Sequence, residues 1–423
     1  MAEEILQGQV RERVAAVGRA DIVVGIPSYN NSHTIGHVVR AAHAGLLKYF
    51  PDRKALIVNS DGGSKDGTRE VVEAAQLDTQ QLLLVKHPLH PVHRLSTPYH
   101  GLPGKGSAFR TIFRIAQVVG ARACAVVDAD LRSITPEWFD LLLRPVLDHE
   151  YDYVAPYYKR HKYDGTITNS IVYPLTRALY GRQVRQPIGG DFGLSGRLAH
   201  HLLTRDVWTM DVARYGIDIW MTTTAIAENF RTCQVYLGAK IHDPKDPGAD
   251  LSAMLAQVLG SVFSLMETYY DVWTRVRGSQ PAPLFGFPFE VGLEPVPINL
   301  ARMLAAFQQG CRDLQPVYAR VLSPGLLKAL ASIAAAPAEK FALPDEVWVG
   351  VVYDFALAYH RRVLNREHLV KSITPLYLGW VASFARQTEH ESAAQVEDRI
   401  ERLCLVYEQM RASVISRWDA EKR

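Results

Sequence analysis

The stretch "ARACAVVDADLRSITPEWF", residues 121–139, runs apolar from Ala123 to Val127 and then stops at two aspartates separated by one alanine. A short apolar run closed by polar residues is the pattern of a strand buried on both faces. In an open α/β sheet, ligands bind outside the carboxyl ends of the strands, where the chain emerges after Val127. Residues two apart in extended chain point the same way, so Asp128 and Asp130 are expected to present two carboxylates on one side. Such hard oxygen donors suit Mg²⁺ or Mn²⁺ carrying a diphosphate. A solvated strand end, with an aspartate capping the next turn, is the plainer reading of the same residues.

Working outward, the first 240 residues alternate apolar runs with helical patterns: "DIVVGI" (21–26), "ALIVN" (55–59), "LLLV" (82–85), "CAVV" (124–127) and "DYVAP" (152–156). This spacing predicts βα units around a mostly parallel sheet, an α/β fold class. Between the first two runs, Ile35, Val38, Val39, Ala42, Leu46 and Leu47 share one helical face, with Ser32 as a candidate cap. A second helix is expected over "DGTREVVEAAQ", and "GLPGKGSAFRTIF" should open a third, with Ser107 to Phe113 helical. From 277 to 298 the composition changes to "RGSQPAPLFGFPFEVGLEPVPI", which carries five prolines and reads as a connector or an extended lining segment. Helix-period segments follow at 299–322, 344–361 and 392–418, so the C-terminal part is expected to be mainly helical. The expected division is an α/β domain over 1–276, the connector over 277–298 and a helical domain over 299–423.

A chain of 423 residues has room for about two or three cores. With 48% hydrophobic and 22% charged residues it has the composition of an ordinary globular protein. A net charge of +3 is too small for the clustered basic footprint of a nucleic-acid binder, so no nucleic-acid partner is expected. Cys124, Cys233, Cys311 and Cys404 lie far apart with no C-x-x-C pair, which argues against a zinc site or a disulfide framework and for a reducing cytoplasm. The N-terminal "MAEEILQGQVRERV" lacks the apolar core of a signal peptide. The most apolar later segment, "LSAMLAQVLGSVFSLMETYY", is broken by Ser252, Gln257, Gly260, Ser261, Ser264 and Glu267, while Leu251, Leu255, Val258, Val262 and Leu265 keep helical spacing. It predicts a helix with one packed face, and no membrane association is expected.

Four consecutive strand-to-helix loops have ligand-friendly composition: "GIPSYNNSHTI", "NSDGGSKDGT", the GKG loop and the DAD loop. Any one of them reads as turn chemistry alone, but together they outline a site. The GKG loop fails the Walker A spacing; Gly104 and Gly106 still permit close backbone approach to a ligand, and Lys105 supplies a point charge. Further on, "VRQPIGGDFGLSG" (184–196) offers Gly189 and Gly190 backbone N–H groups to an anionic oxygen and Asp191 to hydroxyls. Asp218 in "YGIDIW" (215–220) is either a helix cap or a carboxylate facing substrate. His242 in "GAKIHDPKDPG" (238–248) is a metal ligand only with a partner such as Asp130.

In order and sequence, "IPSYNN", "SDGGSKDGT", "GKG", "VDADL", "QPIGGDFGLSG", "YGIDI" and "KIH" resemble the retaining GT-A glycosyltransferases that make glucosyl-3-phosphoglycerate and mannosylglycerate. The resemblance covers roughly residues 20 to 265 and implies a Rossmann-like GT-A domain that binds a nucleotide-sugar donor and a small carboxylate acceptor. It implies nucleotide-sugar contacts at Pro27, Tyr29, Asn31, Ser60, Asp61, Lys105, Asp128, Ala129 and Gly190, with Asp61 and Lys105 at the base. Asp130 and His242 would hold Mg²⁺ or Mn²⁺. Arg160, Thr168, Gly189, Gly190 and Asp218 would meet the acceptor, and Asp191 and Asp218 would be the catalytic carboxylates. Two departures stand out: the family's usual acidic "N-E" after strand one is Asn30-Asn31 here, and the histidine is followed by Asp243 and Pro244 with only Lys245 basic. A dianionic phosphate prefers bidentate arginine, so D-glycerate is favoured over 3-phosphoglycerate as acceptor. UDP-glucose is favoured over GDP-mannose as donor because "QPIGGDFGLSG" and the first two loops resemble the glucosyl enzymes more closely. The competing readings are an inverting transferase acting on a lipid or polysaccharide, and a non-catalytic nucleotide-sugar sensor. The C-terminal helices are left two roles, covering the acceptor side or forming the seam of a homodimer, and a homodimer is the expected state.

Overall fold

The computed structural model describes residues 6, 8–75, 92–98, 104–208, 216–242, 252–289 and 291–418, without the side chains of residues 8, 9 and 92–98. Contacts divide the chain into two compact units. The first comprises Met1–Lys159, Ile188–Asp243 and Ala282–Leu293; the second comprises Arg160–Pro187, Pro244–Pro281 and Glu294–Arg423.

In the first unit, among the described residues, eight strands form one sheet: β1 Ile22–Ser28, β2 Ala55–Asp61, β3 Val92–Pro98, β4 Ala123–Val126, β5 Tyr153–Lys159, β6 Phe192–Ser195, β7 Thr232–Ala239 and β8 Leu284–Phe285. Their order is β8-β7-β5-β6-β4-β1-β2-β3. Neighbours run parallel except β6, which is antiparallel to both β4 and β5. The α/β class and mostly parallel sheet expected from the sequence are therefore the ones found. Four expected strands coincide with β1, β2, β4 and β5, whereas "LLLV" at 82–85 lies outside the described residues.

From β1 the chain steps one way to β2 and β3 and then returns to place β4 on the opposite side, so the β1/β4 boundary is the switch point where a crevice opens. The strands flanking it are buried on both faces, as their unbroken apolar runs require. On one face, Val38, Val39, Ala42 and Leu46 of the helix Ile35–Tyr49 pack with Trp138, Phe139, Leu142 and Leu143 of the helix Pro136–His149. On the other, the helix Lys105–Val118 buries Phe109, Ile112 and Phe113, with Ile112 filling the space over Gly25 of β1. That helix begins at Lys105, which puts this side chain at the carboxyl ends of the strands. The helix Ile217–Ala227 is buried along its whole length, which explains why its sequence shows no polar face.

The second unit is helical, as expected for the C-terminal part. Pro316 divides the segment read at 299–322 into the helices Leu300–Asp313 and Gln315–Val321, while 344–361 and 392–418 form Asp345–His360 and Ala393–Trp418. The apolar segment near 251–265 is the helix Ser252–Thr268, and no described helix is long and apolar enough to cross a membrane. A π-helical turn, Thr168–Val172, leads into the helix Tyr173–Tyr180. Its Ser170 carbonyl accepts from Trp348 Nε1 at 3.0 Å and from the Tyr407 hydroxyl at 2.9 Å. The long last helix sends Glu401 and Glu408 to the buried Arg177, and Glu397 to Arg185 at 2.6 Å.

Candidate active site

The first two strand-to-helix loops are zipped together by their own polar groups. Asn30 N donates to Ser64 Oγ (2.8 Å) and Asn31 N to Thr68 Oγ1 (2.9 Å). Ser32 N likewise donates to Asp66 Oδ2 at 2.9 Å, and in return Lys65 N donates to Asn30 Oδ1 at 3.0 Å. Asn31 Oδ1 accepts from Tyr29 N at 2.9 Å, and the Tyr29 ring is left 63% exposed on the rim.

Asp61 is an anchor of these loops. Its carboxylate is 1% exposed and accepts from Ser28 Oγ (3.2 Å), Ser64 Oγ (2.6 Å), Gly63 N (2.9 Å), Ser64 N (3.0 Å) and Arg69 Nε (2.8 Å). Burial alone would raise its pKa, but the donors from Ser64, Arg69 and Gly63 outweigh burial and hold the carboxyl below the ordinary range. The direct base contact implied for Asp61 is thus at odds with a carboxylate whose oxygens are committed to the protein. Ser60 beside it is fully buried, and its hydroxyl finds no hydrogen-bond partner among the described residues. Pro27 sits at the end of β1 in register with Ser60, and the Ala129 carbonyl accepts from Thr34 Oγ1 at 2.8 Å.

β4 ends at Val126 and the chain turns at Ala129–Asp130, so the extended alternation expected across the two aspartates does not occur. Asp128 instead faces two lysines. Its Oδ1 lies 2.8 Å from Lys105 Nζ and its Oδ2 lies 2.7 Å from Lys240 Nζ. Lys240 Nζ also donates to Asp191 Oδ2 (2.9 Å) and the Gly189 carbonyl (2.7 Å). Lys105 Nζ also reaches the Gly190 carbonyl and Asp218, each at 3.3 Å. Asp191, fully buried, accepts from Asp128 N at 2.8 Å and from the Tyr158 hydroxyl.

This cluster holds three carboxylates against two ammonium groups, one negative charge in excess. Burial opposes the charged forms, but the attraction of Lys105 and Lys240 holds Asp128 well below the usual carboxylate range. Asp191 and Asp218 are pushed up, by burial first and by the neighbouring Asp128 charge among the smaller causes. Burial works against the Lys105 cation, yet Asp128 and Asp218 outweigh it and keep the ammonium protonated. Gly190 is indispensable to the geometry: its φ is +91°, and a Cβ there would stand 2.1 Å from Asp128 Oδ2 and 2.7 Å from Lys240 Nζ.

Asp218 lies in the first turn of its helix, but the capping position is Gly216. The cap reading is therefore replaced by membership of the cluster, with Asp218 Oδ1 buried and without a hydrogen bond among the described residues. Asp130 and His242 are carried by adjoining backbone: Arg132 N donates to the Ile241 carbonyl at 2.9 Å, and the Arg132 guanidinium to the His242 carbonyl at 3.3 Å. Asp130 makes no hydrogen bond or ion pair among the described residues. No group of three or more His, Cys, Asp and Glu suited to a metal ion forms among them.

Arg160 and Thr168 belong to the second unit and meet there across Gly165. A Cβ at Gly165 would lie 3.1 Å from Arg160 Nη1 and 3.9 Å from Thr168 Oγ1. Arg160 Nη1 is 3.7 Å from Asp164 Oδ2. Sequence reasoning missed Lys240 and Tyr158. The one available signal was a lysine two residues before His242 at the end of an apolar run.

Residues 58–264 match the family model described as mannosylglycerate synthase, GT domain. No curated protein matches the chain. Among solved structures, glucosyl-3-phosphoglycerate synthase from Mycobacterium tuberculosis in complex with phosphoglyceric acid is similar at 22% identity and a TM-score of 0.45, over 61% of this chain and 85% of that one. The same enzyme with Mn²⁺, uridine diphosphate and glucosyl-3-phosphoglycerate is similar at 22% identity and a TM-score of 0.44, over the same shares.

Proposed function

We propose that this chain, similar over residues 58–264 to the mannosylglycerate synthase GT domain, is a glycosyltransferase that moves a hexose from a nucleoside diphosphate sugar to a small hydroxy acid, with UDP-glucose as the favoured donor and D-glycerate as the acceptor. The observation that carries this reading is the Lys105–Asp128–Lys240–Asp191–Asp218 cluster, buried at Lys240, Asp191 and Asp218 and partly exposed at Lys105 and Asp128, at the β1/β4 switch point. Both ammonium groups there are already matched by carboxylates, and one negative charge is left over. A diphosphate brought beside that excess needs a further cation.

The residues present fit a divalent one. Asp130, half-buried and without an ion pair among the described residues, and His242 on the adjoining backbone would supply a carboxylate and an imidazole, and diphosphate oxygens would complete a hard donor set. When bound there, Mg²⁺ or Mn²⁺ would neutralise charge growing on the departing diphosphate. The protein's own groups do the rest. Lys105 and Lys240 fix Asp128 and the Gly189–Gly190 turn, and Asp218 offers a buried oxygen to a sugar or acceptor hydroxyl. Asp191, enclosed on every side by Asp128 N, Lys240 and Tyr158, acts by positioning Lys240. The acceptor oxygen attacks the anomeric carbon on the face from which the diphosphate leaves, the departing phosphate oxygen takes its proton, and configuration is retained.

For the acceptor carboxylate we assign Arg160, with Thr168 for a hydroxyl. Part of the Arg160 charge is already matched by Asp164 at 3.7 Å, which suits a singly charged carboxylate better than a dianionic phosphate. Nucleotide release is to be measured across UDP-, GDP- and ADP-sugars with D-glycerate or 3-phosphoglycerate, each with Mg²⁺ or EDTA. The expected result is UDP release that needs UDP-glucose, D-glycerate and the metal together. A flat panel refutes the transferase reading, and release with 3-phosphoglycerate alone refutes the acceptor. A homodimer belongs to this reading and is checked by light scattering.

A further inference from the structure

Lys240 occupies its place in the cluster because β7 contains one residue too many. Pairing with β5 runs Tyr157 to Tyr236 and then Tyr158 to Gly238, so Leu237 is an extra residue in β7. The consequence can be counted. Successive strand residues alternate faces, so Tyr236 and Lys240, four apart, belong on the same face of an unbroken strand. They are on opposite faces here. The Tyr236 ring packs with Tyr157 at 6.0 Å, whereas Lys240 Nζ lies 5.3 Å from the ring of Tyr158, the next residue of β5 and so on the other face. The bulge therefore reverses the parity of the strand and sends Lys240 to Asp128 and Asp191.

The bulge is built at Gly238, with φ +76°, a conformation that residues bearing a Cβ rarely adopt. Over that glycine lies the ring of Phe289, which a Cβ at 238 would meet at 2.9 Å. The same phenylalanine contacts the Tyr236 ring edge-on at 5.3 Å, and its carbonyl accepts from the Tyr236 hydroxyl at 3.0 Å. Yet Phe289 is 56% exposed, so the hydrophobic core does not account for it. It arrives by way of β8, whose Leu284 and Phe285 pair with Gln234 and Val235 of β7 just before the bulge.

We infer that Phe289 is a positioning residue: its ring, clamped by Tyr236, covers Gly238 and holds the β7 bulge that delivers Lys240 to Asp128 and Asp191. The inference rests on the transferase reading for its effect on turnover, and on geometry alone for its effect on Lys240. Removing the ring frees Gly238 to relax and lets Lys240 withdraw. Substituting Gly238 drives a side chain into the ring and imposes a backbone conformation it resists.

The test compares Phe289→Ala, Phe289→Tyr and Gly238→Ala with the unaltered chain. Displacements of about 1 Å at positioned groups cost on the order of 100-fold, and we expect Phe289→Ala and Gly238→Ala to lower kcat/KM for the donor by about that factor. Phe289→Tyr should stay near the unaltered value, and KM for the acceptor should not move. Thermal midpoint and calorimetric binding of UDP with Mn²⁺ are measured alongside. A purely structural role would lower the midpoint without weakening binding in the surviving folded protein, and that result overturns the inference. So does a Phe289→Ala enzyme with unaltered kcat/KM. If Phe289→Ala does not fold, Gly238→Ala and Phe289→Tyr decide by the same measures. If the unaltered chain transfers nothing, the transferase reading has failed, and a crystal structure of Phe289→Ala judges the inference: Lys240 still bonded to Asp128 and Asp191 overturns it, and Lys240 displaced from them upholds it.

Discussion

Replacing Lys240 by methionine puts the proposed cluster to its hardest test. The ammonium is 4% exposed and stands 2.7 Å from Asp128 Oδ2, 2.9 Å from Asp191 Oδ2 and 2.7 Å from the Gly189 carbonyl. Methionine keeps the length and apolar volume of the stem but removes the charge and three hydrogen bonds. Two carboxylates then face one another around Gly190, and the cluster's excess rises from one negative charge to two. Breaking one side of a buried ion pair costs about 3–5 kcal/mol, because the remaining charge has lost its partner. Unfolding by urea reads this directly. With a slope of about 3 kcal/mol/M, a loss of about 4 kcal/mol lowers the midpoint of the affected transition by about 1.3 M. The stabilities of Lys240→Met, Asp191→Asn and the double variant complete the cycle. Removing the second carboxylate relieves the repulsion, so the double variant should be more stable than the sum of the single losses predicts, by about 1–3 kcal/mol. A Lys240→Met protein within about 1 kcal/mol of the parent, or strictly additive losses, refutes the idea that Lys240 holds Asp128 and Asp191 together.

Asp130→Ala should abolish metal-dependent nucleotide release with little change in thermal midpoint, since Asp130 makes no hydrogen bond or ion pair among the described residues; a fully active variant would remove Asp130 from the metal site. Asp61→Asn gives up a carboxylate that accepts from Ser64, Gly63 and Arg69, a loss of about 1.5–3 kcal/mol at neutral pH by the worth of a charged hydrogen bond, to be read by chemical denaturation. The pKa of Asp61 is lowered by folding, so its stabilisation is complete above the unfolded value near 4 and is lost as pH falls through the folded value. Asp61→Asn should therefore flatten the acid limb of stability against pH, and an unchanged limb counts against the anchor role. In the second unit, Arg177→Met strands Glu401 and Glu408 and should cost about 3–5 kcal/mol of that unit's stability, with Glu408→Gln costing less because Glu401 still pairs the guanidinium.

The sheet was legible because β1, β2, β4 and β5 are buried on both faces, or nearly so, and so read as continuous apolar runs bounded by turn residues. β6 was not, being four residues long and antiparallel between parallel neighbours, a placement that only tertiary pairing specifies. The helices of the second unit showed through their period, but the π-helical turn at Thr168–Val172 did not. It is held by Trp348 and Tyr407, which are 178 and 237 residues away from the Ser170 carbonyl they bond. Asp61 is placed at the nucleotide base by the resemblance alone, and nothing in the order of its motifs reports where a carboxylate points. The glycine, serine and arginine that follow it within eight residues are what turn its carboxylate inward.

The D-x-D motif shows where period-two reasoning stops. Two aspartates separated by one residue share a face only while the chain stays extended, and β4 has already ended at Val126. The turn at Ala129 separates their environments: Asp128 is held between Lys105 and Lys240, while Asp130, beside the end of β7, has no ion pair among the described residues. The same kind of break acts on β7, where one extra residue at Leu237 puts Lys240 on the face opposite the one its spacing from Tyr236 assigns. Both departures are irregularities of a single residue, and each moves a charge to where a regular strand could not put it. A carboxylate already neutralised by two lysines has little attraction left for a cation. Of the two aspartates, it is therefore Asp130, the one excluded from the lysine cluster, that has the electrostatic freedom to bind a divalent ion, and the ion would gain least from Asp128 for as long as Lys240 stays in place.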